Sequence, residues 1–235
     1  MIYLSGSVAD SYQALLIAAG IGLMIQPGNS YHRRIAAFRY WAADNGCFAD
    51  QWDEDRWIKW LELLDPAAGC LFAVAPDKYP DAIESLRRGL DFAPIVRDMG
   101  FPVAVVAQDG AERLDWAWDE MDCLFLGGRQ RERSRLEWKE SAAAASLARR
   151  ARAAGKWVHM GRVNSLRRLK IAQFMGCQSV DGNLIKWRRR GAEPGVRVSD
   201  AEGAVLSHTH FVNTNPPLPF ERWETPSHPT HRGLT

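Results

Sequence analysis

Cysteine is scarce in this 235-residue sequence, and the few cysteines lie far apart. They are Cys47, Cys70, Cys123 and Cys177, and no two of them form a Cys-x-x-Cys pair. This spacing argues against the disulfide framework of a small secreted domain and against a cysteine-based zinc site. We therefore expect reduced, mostly buried cysteines, and neither a metal nor another cofactor.

Long apolar runs are also missing. No stretch approaches the roughly 18 apolar residues that a membrane-spanning helix needs. The first residues, Met1-Ile2-Tyr3-Leu4-Ser5, lack the basic start and the apolar core of a signal peptide. The sequence accordingly predicts a protein of the cytoplasm that has no membrane partner.

Net charge is small at +2, but it is unevenly distributed. Residues 1–128 contain 10 basic and 19 acidic side chains, a net charge of −9, whereas residues 129–197 contain 18 and 5, a net charge of +13. Lysine and arginine are rarely fully buried, so such a block is expected on the surface, where it would meet a polyanion. The alternative is a solvated helix face in which arginine is an ordinary helix former.

Short apolar runs alternate with helical patterns along the first 190 residues. Eight runs have strand character: Ile2–Ser5, Ile21–Gln26, Phe38–Ala43, Leu71–Ala75, Pro102–Ala107, Cys123–Leu126, Trp157–Met160 and Gln178–Val180. This count predicts an α/β fold, a (β/α)8 barrel of the TIM type over residues 1–190. An open doubly wound sheet is the alternative, but no Gly-x-Gly-x-x-Gly motif follows the first run.

Three further structural predictions follow from local patterns. Alanine, arginine and glutamate over 134–155 predict one long helix, and 113–119 predict a short one. Residues 191–235 are rich in glycine, proline and polar side chains, and we expect an irregular, partly extended tail there, without a zinc subdomain.

Polar or glycine residues stand where several of the predicted strands end. They are Asp44, Asp77, Gln108, the pair Gly127-Gly128, and Asp181. In a barrel these ends face one site, where several carboxylates can divide the roles of nucleophile and acid or base. Each residue taken alone could instead be a turn former or a helix cap.

The order of these segments resembles the tRNA-guanine transglycosylase superfamily. It is most similar to the short, phage-type branch that inserts 7-deazaguanines into DNA, and the resemblance covers roughly residues 20–190. The segments are Trp41-Ala42-Ala43-Asp44-Asn45-Gly46, Ala73-Val74-Ala75-Pro76-Asp77, Val105-Val106-Ala107-Gln108-Asp109-Gly110, Leu126-Gly127-Gly128, Val158-His159-Met160-Gly161-Arg162-Val163-Asn164-Ser165 and Ser179-Val180-Asp181-Gly182.

The resemblance implies a role for each matching position. Asp181 would be the nucleophile that attacks C1′ of the target nucleoside and holds the sugar covalently, and Asp44 would be the general acid and base. Base-binding roles would fall to the positions Asn45, Asp77, Gln108, Gly127 and Gly128. The implied partners are DNA and a free 7-deazaguanine such as 7-cyano-7-deazaguanine, with no cofactor.

One departure from the family pattern bears on the substrate. The tRNA enzymes carry a zinc site of three cysteines and one histidine after the barrel, whereas no cysteine follows Asp181 here. This favours DNA over tRNA. A zinc-free tRNA enzyme and a non-catalytic nucleic-acid-binding protein on the same barrel remain the alternatives.

The basic block supplies candidate phosphate ligands. Trp187 could stack on a base or could be a buried interface tryptophan. The residues predicted to bind nucleic acid are Arg129, Arg162, Lys186, Trp187, Arg188, Arg189 and Arg190.

Overall fold

Eight parallel strands close into a barrel in chain order, and the last strand pairs with the first. The computed structural model describes residues 1–6, 10–28, 34–47, 52–129 and 136–183. The strands are β1 (Ile2–Ser5), β2 (Gly22–Ile25), β3 (Trp41–Ala43), β4 (Cys70–Val74), β5 (Val103–Ala107), β6 (Cys123–Leu126), β7 (Trp157–Met160) and β8 (Ser179–Gly182). The predicted (β/α)8 barrel is thereby confirmed, whereas the predicted tail from residue 191 lies outside the described residues.

Helices connect most neighbouring strands on the outside of the barrel. They are α1 (Asp10–Ala18), α2 (Glu54–Leu61), α3 (Ala82–Asp98), α4 (Ala142–Ala153) and α5 (Leu166–Phe174). Aspartate or serine caps four of them: the side chains of Asp53, Asp81, Ser141 and Ser165 each accept a hydrogen bond from an N–H of the first turn. No helix in the described ranges is long and apolar enough to cross a membrane.

The prediction of one continuous helix over 134–155 is wrong before residue 142. A 3₁₀ turn (Trp138–Glu140) precedes α4, and the hydroxyl of Ser141 then caps the helix by accepting from the N–H of Ala144 at 3.3 Å. Glu137 and Glu140 form a reciprocal capping box around the turn. These local bonds compete with a continuous helix, and they turn Lys139 towards the barrel.

Three other elements differ from the predicted ones. The short helix over 113–119 is replaced by two 3₁₀ turns, Ala111–Arg113 and Trp118–Glu120. β3 begins at Trp41 rather than at Phe38, because the N–H of Phe38 bonds within a 3₁₀ turn to the carbonyl of Ile35 at 2.9 Å. β8 runs past Val180, so that Asp181 lies within the strand and pairs with Leu4.

Strand alternation sorts the side chains into two cores. One core lies inside the barrel and includes Leu4, Ala42, Phe72, Val106 and Trp157. The intervening strand residues face outward and pack under the helices in the larger core. In the described residues the inside of the barrel is thus filled by side chains, which makes its carboxyl rim the first place to look for a ligand site.

Candidate active site

Inward-facing positions of three strands continue to the carboxyl rim of the barrel and end in polar side chains. Ala42 is followed two residues later by Asp44, Val106 by Gln108, and Ser179 by Asp181. The N–H of Asp44 still bonds to Ile25 of β2 at 2.7 Å, so this residue keeps the strand register. The period of two therefore delivers Asp44, Gln108 and Asp181 to the same opening.

Asp77 lies at the centre of a buried hydrogen-bonded group. The amide nitrogen of Asn45 donates to Asp77 Oδ1 at 2.9 Å and to the carbonyl of Ala75 at 2.8 Å. The amide nitrogen of Gln108 donates to Asp77 Oδ2 at 2.8 Å. Both carboxylate oxygens are thus held by amides from two neighbouring strand ends.

Gln108 still has one hydrogen-bonding atom to offer. Its side chain is 2% exposed, and its carbonyl oxygen Oε1 has no hydrogen-bond partner within the described ranges. A buried acceptor left unpaired costs free energy, which a ligand N–H would recover. The orientation of the amide is fixed, because its nitrogen is committed to Asp77.

Asp44 is the carboxyl group whose pKa lies in the physiological range. Desolvation, followed by the negative charges of Asp181 and Asp77, raises its pKa to about 7 against the lowering effect of the backbone N–H groups of Asn45 and Gly46. Burial likewise raises the pKa of Asp77, although the hydrogen bonds from Asn45 and Gln108 oppose this effect. Asp44 can therefore both give and accept a proton near neutral pH.

Asp181 receives two hydrogen bonds on one oxygen. His159 Nε2 lies 3.0 Å from Asp181 Oδ1, and the N–H of Arg162 donates to the same oxygen at 3.3 Å. The histidine is fully buried, whereas the side chain of Asp181 is 19% exposed. From the sequence, His159 was named only as part of the segment from Val158 to Ser165, and its contact with Asp181 was missed. The available signal was the shared inward alternation of Trp157, His159, Ser179 and Asp181 on adjacent strands.

Gly127 and Gly128 have structural reasons to be glycine. A Cβ on Gly127 would lie 2.9 Å from Val106, and Gly128 has a φ of +70°. Both N–H groups donate to the carbonyl of Ala107, and both carbonyls accept from the guanidinium of Arg162. Both glycines are buried and their backbone groups are engaged within the barrel, so packing alone accounts for glycine at these positions.

Lys139 contradicts the expectation that basic side chains of this region lie on the surface. It is fully buried, and its ammonium donates to the carbonyl of Gly161 at 2.6 Å and pairs with Glu137 at 3.3 Å. Burial and the positive charges of Arg162 and Arg168 outweigh its acidic neighbours and lower its pKa to about 8. Lys139 thus supports the loop after β7, which places the N–H of Arg162 against Asp181.

Other members of the basic block are also committed to the fold. Arg168 bonds to Glu137 at 2.6 Å and to Glu140 at 3.2 Å, and Arg167 bonds to Glu140 at 2.8 Å. Arg152 donates to the carbonyl of Gly176 at 2.6 Å. Part of the +13 charge is therefore explained by packing between the last helices and strands.

The predicted nucleic-acid ligands are placed unevenly. Arg129 is exposed at the rim, where its N–H donates to Asp109 at 2.7 Å. The guanidinium of Arg162 instead contacts the barrel itself. The remaining five, Lys186, Trp187, Arg188, Arg189 and Arg190, lie outside the described residues.

A cavity of about 490 Å³ lies against Asp77 on the side of α3. Its lining includes Trp52, Phe92, Arg87 and Arg88, and its volume suits a small organic ligand. No group of three histidine, cysteine, aspartate or glutamate side chains in the described part of the chain is arranged to hold a metal ion.

No protein-family model matches the sequence, and no curated protein matches it. Solved structures do match the fold. The YdjI aldolase from Escherichia coli K12 is 11% identical, with a TM-score of 0.59 over 92% of this chain and 91% of that chain. A chain of the tryptophan synthase complex from Pyrococcus furiosus is 14% identical, with a TM-score of 0.54 over 91% of this chain and 96% of that chain. At such low identity these likenesses establish one property, namely that the chain folds as a TIM-type (β/α)8 barrel.

Proposed function

We propose that this protein is a DNA guanine transglycosylase, an enzyme that exchanges guanine in DNA for a free 7-deazaguanine. The observation that carries the proposal is the carboxyl group of Asp44, with a pKa of about 7, beside Asp181 at the same rim. Glycosyl transfer with a covalent intermediate needs two carboxyl groups in different states, one as a nucleophile and one as an acid and base. The choice of base exchange among glycosyl transfers rests on the resemblance of the six strand-end segments to the tRNA-guanine transglycosylase superfamily.

The first half-reaction breaks the bond between the sugar and guanine. The carboxylate of Asp181 attacks C1′ and forms an ester-like bond to the sugar, while the electron pair of the C1′–N9 bond passes to guanine. Protonated Asp44 gives its proton to the departing base. Guanine leaves neutral, and the DNA is held covalently on Asp181.

The second half-reaction reverses these steps with the new base. Asp44, now a carboxylate, takes the proton from N9 of the incoming 7-deazaguanine, and N9 attacks C1′. The bond between C1′ and Asp181 breaks, and its electron pair returns to the aspartate. No proton or electron is gained or lost over the cycle, so no further reactant is required.

The group around Asp77 suits the recognition of a guanine face. Guanine and its 7-deaza analogues present N1–H and 2-amino donors and the O6 acceptor along one edge. Asp77 and the open Oε1 of Gln108 are acceptors for such donors. A target guanine that is stacked inside a duplex cannot reach the active site. Its nucleotide would therefore be turned out of the stack into this opening.

A direct test uses the purified protein, DNA and free 7-cyano-7-deazaguanine. We expect nuclease digestion and mass spectrometry to find the 7-deazaguanine nucleoside in DNA, and a denaturing gel to retain a protein–DNA adduct. Asp181→Asn should reduce exchange by at least about 10³-fold, as loss of a nucleophile does elsewhere. Asp119→Asn, a change of an exposed carboxylate far from the rim residues, is the matched control.

The same assay with tRNA distinguishes the two nucleic acids. Incorporation into tRNA alone would overturn the choice of DNA, and the absence of both incorporation and adduct would overturn base exchange itself.

A further inference from the structure

The relay beneath Asp181 consists of three polar side chains that the proposed reaction does not itself use. Trp157 Nε1 lies 2.7 Å from Ser179 Oγ, which lies 2.8 Å from His159 Nδ1. His159 Nε2 in turn lies 3.0 Å from Asp181 Oδ1. Trp157, Ser179 and His159 are buried residues of β7 and β8.

The chemistry of these partners gives the relay a direction. An indole N–H can only donate, so Ser179 Oγ accepts from Trp157. The serine hydroxyl then has its own proton to give, and the acceptor within reach is His159 Nδ1 at 2.8 Å. With Nδ1 accepting, the neutral imidazole carries its proton on Nε2, which donates to Asp181.

The opposite tautomer is disfavoured by the same contacts. A proton on Nδ1 would leave the serine hydroxyl without an acceptor among the described residues and would turn the Nε2 lone pair towards a carboxylate oxygen at 3.0 Å. The Nδ1–H tautomer would therefore leave the serine proton and the Nε2 lone pair without suitable partners, and unpaired polar groups in a protein interior are costly.

We infer that His159 is a positioning residue for Asp181: as the Nε2–H tautomer fixed by Ser179 and Trp157, it holds Oδ1 and leaves Oδ2 to attack C1′. The N–H of Arg162 donates to the same Oδ1, and no partner of Oδ2 is found in the described ranges. The two bonds therefore fix the rotation of the carboxylate about its Cβ–Cγ bond. This inference rests on the proposed base exchange, because it assigns the attacking oxygen of that reaction.

The ring environment keeps His159 in place. Its ring packs on Phe72 with centroids 5.0 Å apart and on Phe125 with centroids 4.6 Å apart. A Cβ on Gly161 would lie 2.6 Å from Phe125 and 3.3 Å from Asp181 Oδ1, so the space beside the pair requires glycine. The donor to Asp181 is thus preorganised before substrate binds.

Two substitutions separate the donor function from packing. In His159→Gln the amide nitrogen reaches roughly the position of Nε2 and can donate to Asp181. In His159→Asn the amide reaches only the position of Nδ1, so it can bond to Ser179 but not to Asp181. Both variants lose the aromatic ring, so each controls for the loss of packing in the other.

We expect His159→Asn to lower kcat for base exchange by about 10²-fold with an unchanged KM for the free base, as misplacing a reacting group does. His159→Gln should stay within a few-fold of the wild-type kcat. Equal kcat values in wild type and both variants would overturn the inference. The inference would also be overturned if kcat fell equally in the two variants and their thermal stability fell equally as well, because that result would show a structural role only.

An NMR spectrum of the histidine ring nitrogens in labelled wild-type protein shows which nitrogen of His159 carries the proton, and it needs no substrate. It should show a neutral His159 protonated at Nε2, and Ser179→Ala should weaken this preference. A wild-type spectrum with the proton on Nδ1 would overturn the inference. If the spectrum shows Nε2–H but the wild type exchanges no base, the relay is supported and the proposed function is what falls.

Discussion

The two halves of the barrel rim handle charge in opposite ways. At the ends of β3, β4 and β5, Asp44 and Asp77 face amides and each other, and the pKa of both is raised, first of all by burial. At the ends of β6, β7 and β8, Asp181 is surrounded by His159, the N–H of Arg162 and, further away, buried Lys139. The first half favours a proton on Asp44 and holds Asp77 as an acceptor between two amides, whereas the second half supplies hydrogen-bond donors to the carboxylate of Asp181.

This contrast matches the two tasks of a double displacement. A proton-transfer group must change its state near working pH, whereas a nucleophile must present a fixed, unprotonated oxygen. In the proposed reaction, the placement of the two groups on different halves of one rim would let each have its own surroundings while both reach the same sugar.

The largest expected effect comes from removing the group that transfers the proton. Asp44→Asn should lower the rate of exchange by about 10²- to 10⁴-fold, the usual worth of general acid–base catalysis. In the wild type, adduct formation needs protonated Asp44, so its rate should fall as pH rises through about 7. Release of the adduct by the incoming base needs the carboxylate, so its rate should rise over the same range.

Single-turnover measurements of the two half-reactions between pH 5 and 9 check this prediction. Asp119→Asn should keep both profiles, and Asp44→Asn should flatten both. Two half-reactions with parallel pH profiles would contradict the assignment of Asp44 as acid and base.

Effects of intermediate size should come from the Asp77 group. Gln108→Ala or Asp77→Ala should weaken binding of the free base by about 1–3 kcal/mol per unmade hydrogen bond. Calorimetry with 7-cyano-7-deazaguanine measures this loss, and binding of DNA should change less. Equal losses of both affinities would indicate misfolding of the rim and would remove the distinction between its halves.

The smallest expected effect is on the salt dependence of DNA binding, to which the exposed arginines of the basic block contribute. Exposed Arg129 is free to reach phosphates, so Arg129→Gln should reduce the slope of log K for duplex DNA against log salt by about 0.9. Arg167 is already paired with Glu140, so Arg167→Gln should change the slope less. Titrations at several salt concentrations measure both, and a DNA affinity that does not depend on salt would contradict binding through this block.

Much of the rim was predictable because strand ends are marked locally. Asp44, Asp77, Gln108 and Asp181 each follow or end an apolar run, and parallel strands of a barrel bring such ends together. The structure does bring them together, through the bonds of Asp77 to Asn45 and Gln108 and through the effect of the Asp181 charge on the pKa of Asp44.

His159 and Lys139 were not predictable in the same way, because their roles depend on distant parts of the chain. His159 acts across a strand pair, on residues 20 and 22 positions away. Lys139 lies in a stretch of good helix formers, and its burial is accounted for by the bond of its ammonium to the carbonyl of Gly161 and by its pairing with Glu137. A helical pattern carries no information about such a tertiary contact.

The supports of Asp181 also have a meaning for how this protein can change. The relay from Trp157 through Ser179 and His159 is built from strand residues alone, below the loops that border the rim. Rim positions outside this relay and Arg162, such as exposed Arg129, can therefore be substituted while the carboxylate of Asp181 keeps its orientation. Under the proposed reaction, variants at such positions would change which nucleic acid is bound while the reacting groups stay in place, so specificity and reactivity could evolve separately.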